Sequence, residues 1–365
     1  MRIAVEAWSP EYGGELDLGG PEELTTADVK TDCEDRTWAP VDPADAGDLC
    51  DRPLAFIDGT RRIDARLFVT DNGGAPTPGV AGSVGVGAVG CDPAPAGVNG
   101  RKSGAWWKPK GARIVAERVD RYLAVGGGLA AELSAGAGLE YRSLPVPGFA
   151  IDELVHSVHN AMRTKEAEMA QELAATDHLV FVDGPLAVMR AEPLPMVGFI
   201  KAHHRRYLES EQEQVIGDLG CGQRTPLFAF GEPRHRYSWY LRLCEPEDDM
   251  HGWHGIVRAE APAAIPLEDA VRLADASASL LPAFASLPFW DARAPQNLVP
   301  VTGLERRLHH LLGERDLVYR MVRSAAMRVN GSPKDAKTNA TRPPPLASRV
   351  AKEEASDRGG KARQK

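Results

Sequence analysis

Two stretches of this chain end alike, Leu54-Ala-Phe-Ile-Asp-Gly-Thr and Leu179-Val-Phe-Val-Asp-Gly-Pro. Each is a short, wholly apolar run, the pattern of a strand buried on both faces in the middle of a sheet. Each then delivers an aspartate. At the border of a low-dielectric interior a carboxylate costs free energy unless a cation or a donor stands nearby. A chain with two such segments is constrained to an α/β fold whose central strands bring negative charge to one place. The local alternative is that strands end in turns, where Asp-Gly is ordinary chemistry.

The remaining pattern predicts the elements around them. "PLAFIDGT" reads as one strand, and "RIDARLFVT" as a second, with Ile63, Ala65, Leu67 and Val69 on one face. "GVAGSVGVGAVG" reads as a third, completing an antiparallel meander. "GVGAVG" looks like a phosphate-binding glycine loop, but no helical pattern follows it, so a strand of small residues is expected. The Gly/Ala-rich segment 124–148 reads as a loop or short helix. From Ile151 to about Thr176, apolar residues at three- and four-residue steps predict an amphipathic helix. The second Asp-Gly strand, 179–183, follows directly. "PMVGFIK" (195–201) is then a strand, "AHHRRYLES" a basic helical stretch, and "PLFAFGE", "RYSWYLRLC" and "HGIVRAEAP" further strands, before two closing helices at roughly 266–285 and 303–328. The domain reading is an irregular N-terminal arm over 1–50, one body over 51–330, and a disordered tail over 331–365 with few apolar residues and a triple proline.

Hydrophobic residues at 43% and charged residues at 26% place the chain among globular proteins. No apolar run approaches the roughly 18–20 residues that span a bilayer, so no membrane association is expected and the location is read as cytoplasmic. Five scattered cysteines without a CxxC pair read as free thiols. The net charge is −8, yet residues 331–365 hold nine Lys/Arg against four Asp/Glu. The body is acidic and the tail basic; the tail is either a solvated end or a phosphate contact.

Two catalytic readings compete with the turn reading. Haloacid dehalogenase-type phosphatases carry Asp-x-Asp-Gly-Thr, but the nucleophile position is here Phe56, and a covalent route needs its carboxylate. The other is two-metal phosphodiester hydrolysis on a ribonuclease H-like mixed sheet flanked by helices. That chemistry takes carboxylates from separate elements to one edge of a sheet, where hard oxygen ligands suit Mn2+ or Mg2+. Its order is an aspartate on the first strand, a glutamate on the helix after the meander, and an aspartate on the strand after that helix. Asp58 and Asp183 fill the strand positions. On a helical wheel centred on Met162, Glu166 falls at roughly +40°, at the margin of the apolar stripe, against roughly −120° for Glu168 and −80° for Glu172. Glu166 is therefore the helix candidate, with snorkelling at the stripe's edge as the alternative.

"FIDGT", "MRTKEAEMAQEL" with Arg163 three residues before Glu166, "LVFVDGPL" and "VGFIK" stand in the order found in the NurA family of DNA nucleases. The chain resembles that family from about residue 50 to 325. The resemblance implies a ribonuclease H-like fold, Mn2+- or Mg2+-dependent DNA cleavage, a homodimer, and partnership with the hexameric HerA-type ATPase of DNA end processing. It implies Asp58, Glu166 and Asp183 as metal ligands and Lys201 near the active edge. The family's late histidine has no clear counterpart here.

A fourth active-site group is sought on the helix in "VTGLERRLHHLLGERD". With Leu308 at 0°, Glu305 lies at about +60°, His309 at about +100° and His310 at about −160°. Glu305 ranks ahead of His309 because a carboxylate suits these metals better, and His310 is expected in solvent. Lys201, Arg205 and Arg206 are candidate phosphate contacts because they follow a strand of the proposed sheet. "RHRYSWYLRL" divides evenly between a strand-stacking surface and core. A second function remains open, a non-catalytic ribonuclease H-like module that only binds DNA or a motor; retention of all three acidic residues favours catalysis.

Overall fold

The computed structural model describes residues 29–70, 74–92, 112–186, 194–203, 206–230, 236–246, 250–262 and 264–330. The tail over 331–365 and most of the N-terminal arm lie outside them.

Ten strands form one mixed sheet: β1 (Leu54–Val69), β2 (Thr77–Cys91), β3 (Arg113–Val125), β4 (Leu133–Ser134), β5 (Glu140–Pro145), β6 (Leu179–Asp183), β7 (Met196–Ile200), β8 (Phe228–Phe230), β9 (Arg236–Arg242) and β10 (Ile256–Pro262). Their order is β4-β5-β3-β2-β1-β6-β7-β10-β9-β8. At its centre, β3-β2-β1 is an antiparallel meander, and β6 and β7 join β1 in parallel. A mixed sheet in which an antiparallel meander continues into parallel strands is the arrangement expected from the order of elements.

The meander is built from different segments than the hydropathy pattern indicates. "FIDGT" and "RIDARLFV" belong to one 16-residue strand, β1, and Asp58-Gly59 sits inside it rather than at a turn. A carboxylate in mid-strand breaks the apolar run, which is why the sequence reads as two strands. The register shows what the Asp-Gly pair marks: Leu54 to Ile57 pair with β6, and from Asp58 onward β1 pairs with β2 alone. "GVGAVG" lies in β2, as its composition requires. The segment expected as a loop or short helix contains β4 and β5.

Among the described residues, five α-helices accompany the sheet: α1 (Ile151–Ala174), α2 (Ser210–Gly217), α3 (Leu267–Leu280), α4 (Val299–Leu311) and α5 (Arg315–Asn330). The described part of the predicted stretch "AHHRRYLES" is not helical before its last residue, Ser210, where α2 begins. The last predicted helix is two, α4 and α5, because Gly313 takes a φ of +82° between them. The acidic first turn of α1, Asp152 and Glu153, favours the positive end of the helix dipole, and Glu153 accepts the Ala150 backbone N–H at 3.3 Å.

Alternation along β1 separates two cores. Ala55 and Ile57 pack with Leu154, Val158 and Met162 of α1. Leu54 and Phe56 pack on the opposite face with Leu273 of α3 and Leu304 and Leu308 of α4. The described end of the N-terminal arm is held by Glu34, which accepts from buried Arg224 at 2.7 Å, while Arg224 Nε donates to Asp275 of α3 at 2.6 Å. The end of α4 is held as firmly. Arg62 donates to the carbonyls of Leu312 and Gly313 at 3.0 and 2.6 Å, and its Nε to buried Asp64 at 2.8 Å.

Candidate metal centre

Asp58 points to the α4 side of the sheet, on the same parity as Phe56. Asp183 ends β6, and Glu305 projects from α4. One carboxylate oxygen from each lies within 4.8 Å of the others. Three elements far apart in sequence therefore converge on one cluster of hard oxygen donors.

Cations answer this charge from two sides. Lys201, just beyond β7 and buried, places Nζ 2.5 Å from Asp183 Oδ2 and 2.9 Å from Asn297 Oδ1. Arg293 donates to both oxygens of Glu305, at 2.8 and 2.5 Å, and its Nε to Asp291 Oδ1 at 3.2 Å. Asp291 also accepts from Asn297 at 2.7 Å and Thr302 at 2.8 Å. Burial raises the Asp291 carboxyl, but these donors outweigh it and hold the group well below the usual carboxylate range. Asp291, Arg293, Asn297 and Thr302 were not singled out by the sequence reading. They lie in a loop and at a helix start, where no periodicity marks them; the only signal is polar residues in a segment between two apolar helices.

Asp58 is relieved less, although it accepts the Gly59 backbone N–H at 2.8 Å. Burial, then the Asp183 carboxylate, raise it well above its ordinary value, and Lys201 only partly offsets them. Three crowded carboxylates, with buried Asp58 among them favouring its protonated form, are chemically fitted to a divalent cation, and an all-oxygen donor set suits Mg2+ or Mn2+.

Glu166 lies near this cluster but outside the group of three. Its carboxylate sits beneath Gly59, which faces α1, whereas Asp58 faces α4. Arg163 donates to Glu166 Oε2 at 2.9 Å, to the Asp183 carbonyl at 3.5 Å and, at close range, to the Pro185 carbonyl. Arg163 thus ties α1 to the end of β6. Burial pushes Glu166 up to about 7, with Arg163 pulling it down and Asp183 adding to the rise.

The two Asp-Gly pairs have different causes. Gly184 takes a φ of +94°, as a turn requires. Gly59 is extended, and a Cβ there would collide with Glu166 Oε1 and come 2.9 Å from Met162 Cγ. Gly59→Ala is expected to cost roughly 1–3 kcal/mol by overpacking. Glu166→Ala in the same chain should recover part of that loss in chemical denaturation. Simple addition of the two losses would contradict the contact.

No protein-family profile matches the chain, and no curated protein matches it. Among solved structures, partial similarity is found. The crystal structure of the NurA nuclease from Sulfolobus solfataricus superposes with a TM-score of 0.42 at 10% identity, over 80% of this chain and 88% of that one. At that depth of superposition no residue correspondence is taken from it.

The other expected site residues are distributed as follows. His309 is exposed, with Nε2 3.5 Å from Thr60 Oγ1, and does not join the acidic group; His310 is exposed as well. Arg206 is exposed and pairs with Glu213 at 3.5 Å, and Arg205 lies outside the described residues. "RHRYSWYLRL" is core in its described part. Trp239 and Tyr240 are buried, and Arg242 donates to the carbonyls of His254, Gly217 and Gly252.

Proposed function

We propose that the protein is a divalent-metal-dependent DNA nuclease, with the convergence of Asp58, Asp183 and Glu305 as the observation that carries the reading. The three carboxylates would hold Mn2+ or Mg2+, with Glu166 adjoining through the shared end of β1 and β6. A bound ion of this kind polarises a phosphoryl oxygen and generates a nucleophile from water at neutral pH. The chain's own groups act around that centre. Lys201 fixes the Asp183 carboxylate and sets a positive charge beside it. Arg293 orients Glu305 through two parallel hydrogen bonds, the geometry that best fixes a carboxylate plane. Arg163 holds Glu166 in place.

DNA as the substrate rests on the resemblance of the ordered motifs to the NurA family, as do a homodimer, a cytoplasmic role in DNA end processing and a HerA-type hexameric ATPase as partner. An acidic body repels a polyanion, so a motor that feeds strand into it offsets that repulsion. Co-purification with such an ATPase, and stimulation by it, is the expected result; no association in either assay removes the partner from the account. The nuclease reading is tested with end-labelled linear DNA incubated with Mn2+, Mg2+ or EDTA. Cleavage with either ion and none with EDTA is expected, and intact DNA in all three contradicts it.

The metal-free protein should also report the carboxylates through pH. A carboxyl whose folded pKa is raised contributes stability that is full below the unfolded value and lost as pH rises through the folded one. For Glu166, from 4.5 to about 7, the loss amounts to about 3 kcal/mol. Asp58 acts in the same direction. In EDTA the melting temperature should therefore fall between pH 5 and pH 8, and Glu166→Gln should flatten that fall. A wild-type protein as stable at pH 8 as at pH 5 would show that these carboxyls are not held as described.

A further inference from the structure

The loop between α3 and α4, whose Arg293 and Asn297 hold Glu305 and Lys201 of the acidic cluster, exposes two large rings. Phe289 is 71% and Trp290 51% exposed, with centroids 5.0 Å apart and planes edge to face. Exposed aromatics that stand together offer apolar surface that a ligand can cover. The loop that carries them is pinned. Ala285 and Leu298 form a β-bridge, Ser286 N–H donates to the Asn297 carbonyl at 2.9 Å, and the N–H groups of Trp290 and Asp291 both donate to the Leu287 carbonyl. Trp290 is the chain neighbour of Asp291, which is bonded to Arg293 and Asn297, and these in turn hold Glu305 and Lys201. Consecutive Cα atoms are about 3.8 Å apart, so the rings stand within a few side-chain lengths of the cluster.

The size and chemistry of the patch select its occupant. Two aromatic side chains bury about 300–500 Å² together, well short of the roughly 800 Å² per partner in a stable protein interface. A single nucleobase face matches it. Near so many carboxylates a phosphate is repelled, whereas an uncharged π-face is not, and every base offers one.

We propose that Phe289 and Trp290 form a stacking platform for an unpaired nucleobase of the DNA strand whose phosphate reaches the acidic cluster, so that the substrate there is single-stranded or frayed. The proposal rests on the nuclease reading and deepens it. Loss of one stacking ring is expected to weaken binding by roughly tenfold, equivalent to about 1.4 kcal/mol.

The test is a cycle between protein and DNA, read by fluorescence anisotropy in EDTA so that no strand is cut. Wild-type protein, Trp290→Ala, Phe289→Ala and Trp290→Phe are titrated against a labelled oligothymidylate and against the same backbone made abasic. Wild type should prefer the oligothymidylate by roughly tenfold or more. Trp290→Ala and Phe289→Ala should weaken binding to it and lose most of that preference, and Trp290→Phe should keep it, all with unchanged melting temperatures. Equal preference in the alanine variants overturns the platform while leaving the nuclease reading in place. Wild type that binds neither DNA, and does not cut DNA with Mn2+, overturns both. Sedimentation showing that Trp290→Ala converts a dimer to a monomer, with DNA preference unaltered, assigns the rings to a second copy of the chain and also overturns the platform.

Discussion

Asp58→Asn lowers metal-dependent DNA cleavage by about a thousandfold or more, an expected loss of about 4 kcal/mol of transition-state stabilisation, because it removes charge from the cluster without changing size. Asp183→Asn has the same effect on cleavage. The two differ in stability. Asp58 is raised by burial and by Asp183, so its amide relieves a strained charge, and in EDTA at pH 8 Asp58→Asn should melt no lower than wild type. Asp183 is the carboxylate against the Lys201 ammonium, so Asp183→Asn leaves a buried cation with a weakened partner and should melt lower. Cleavage assays and thermal melts of the same preparations check both halves. Wild-type cleavage in both variants would remove Asp58 and Asp183 from the chemistry.

Lys201→Met is the second large effect. In EDTA it should destabilise the protein by about 3–5 kcal/mol, the usual consequence of removing one member of a buried ion pair and leaving the other unpaired. Asp183 would then stand beside Asp58 with no ammonium between them. A divalent cation in the cluster replaces the missing charge, so added Mn2+ should restore more stability to Lys201→Met than it adds to wild type. Urea denaturation with and without Mn2+ measures this. A variant as stable as wild type in EDTA would mean that the Lys201–Asp183 pair contributes little.

Some of this site was legible in the chain because chemistry and periodicity coincide there. Asp58 and Asp183 follow wholly apolar runs, and Glu166 is the one glutamate of α1 close to the apolar stripe; it is buried in the structure. Glu305 was legible for the same reason, lying on the flank of the Leu304–Leu308 stripe that packs on the sheet. What failed were inferences from local grammar. Asp-Gly at 58–59 looked like a turn, whereas the glycine answers a close approach from a helix about a hundred residues away, which no local pattern records. Arg206 looked like part of a basic helix because four cationic or imidazole side chains follow one another there, yet α2 starts only at Ser210, where Ile216 supplies a buried position. The Asp291–Arg293–Asn297–Thr302 network was invisible because its members are scattered over a loop and a helix start, and loop polarity alone does not distinguish a hydrogen-bonded scaffold from a solvated surface.

Calorimetric titration of Mn2+ into the EDTA-stripped, dialysed protein tests the central claim most directly, since it asks whether the three carboxylates hold a divalent ion at all. Wild type should bind Mn2+ with release of protons, seen as a heat that varies with the ionisation enthalpy of the buffer, because Asp58 is held protonated above its ordinary range until the cation arrives. Asp58→Asn and Glu305→Gln should bind at least tenfold more weakly. Mn2+ binding that is absent in wild type, or equally tight in both variants, would contradict the account.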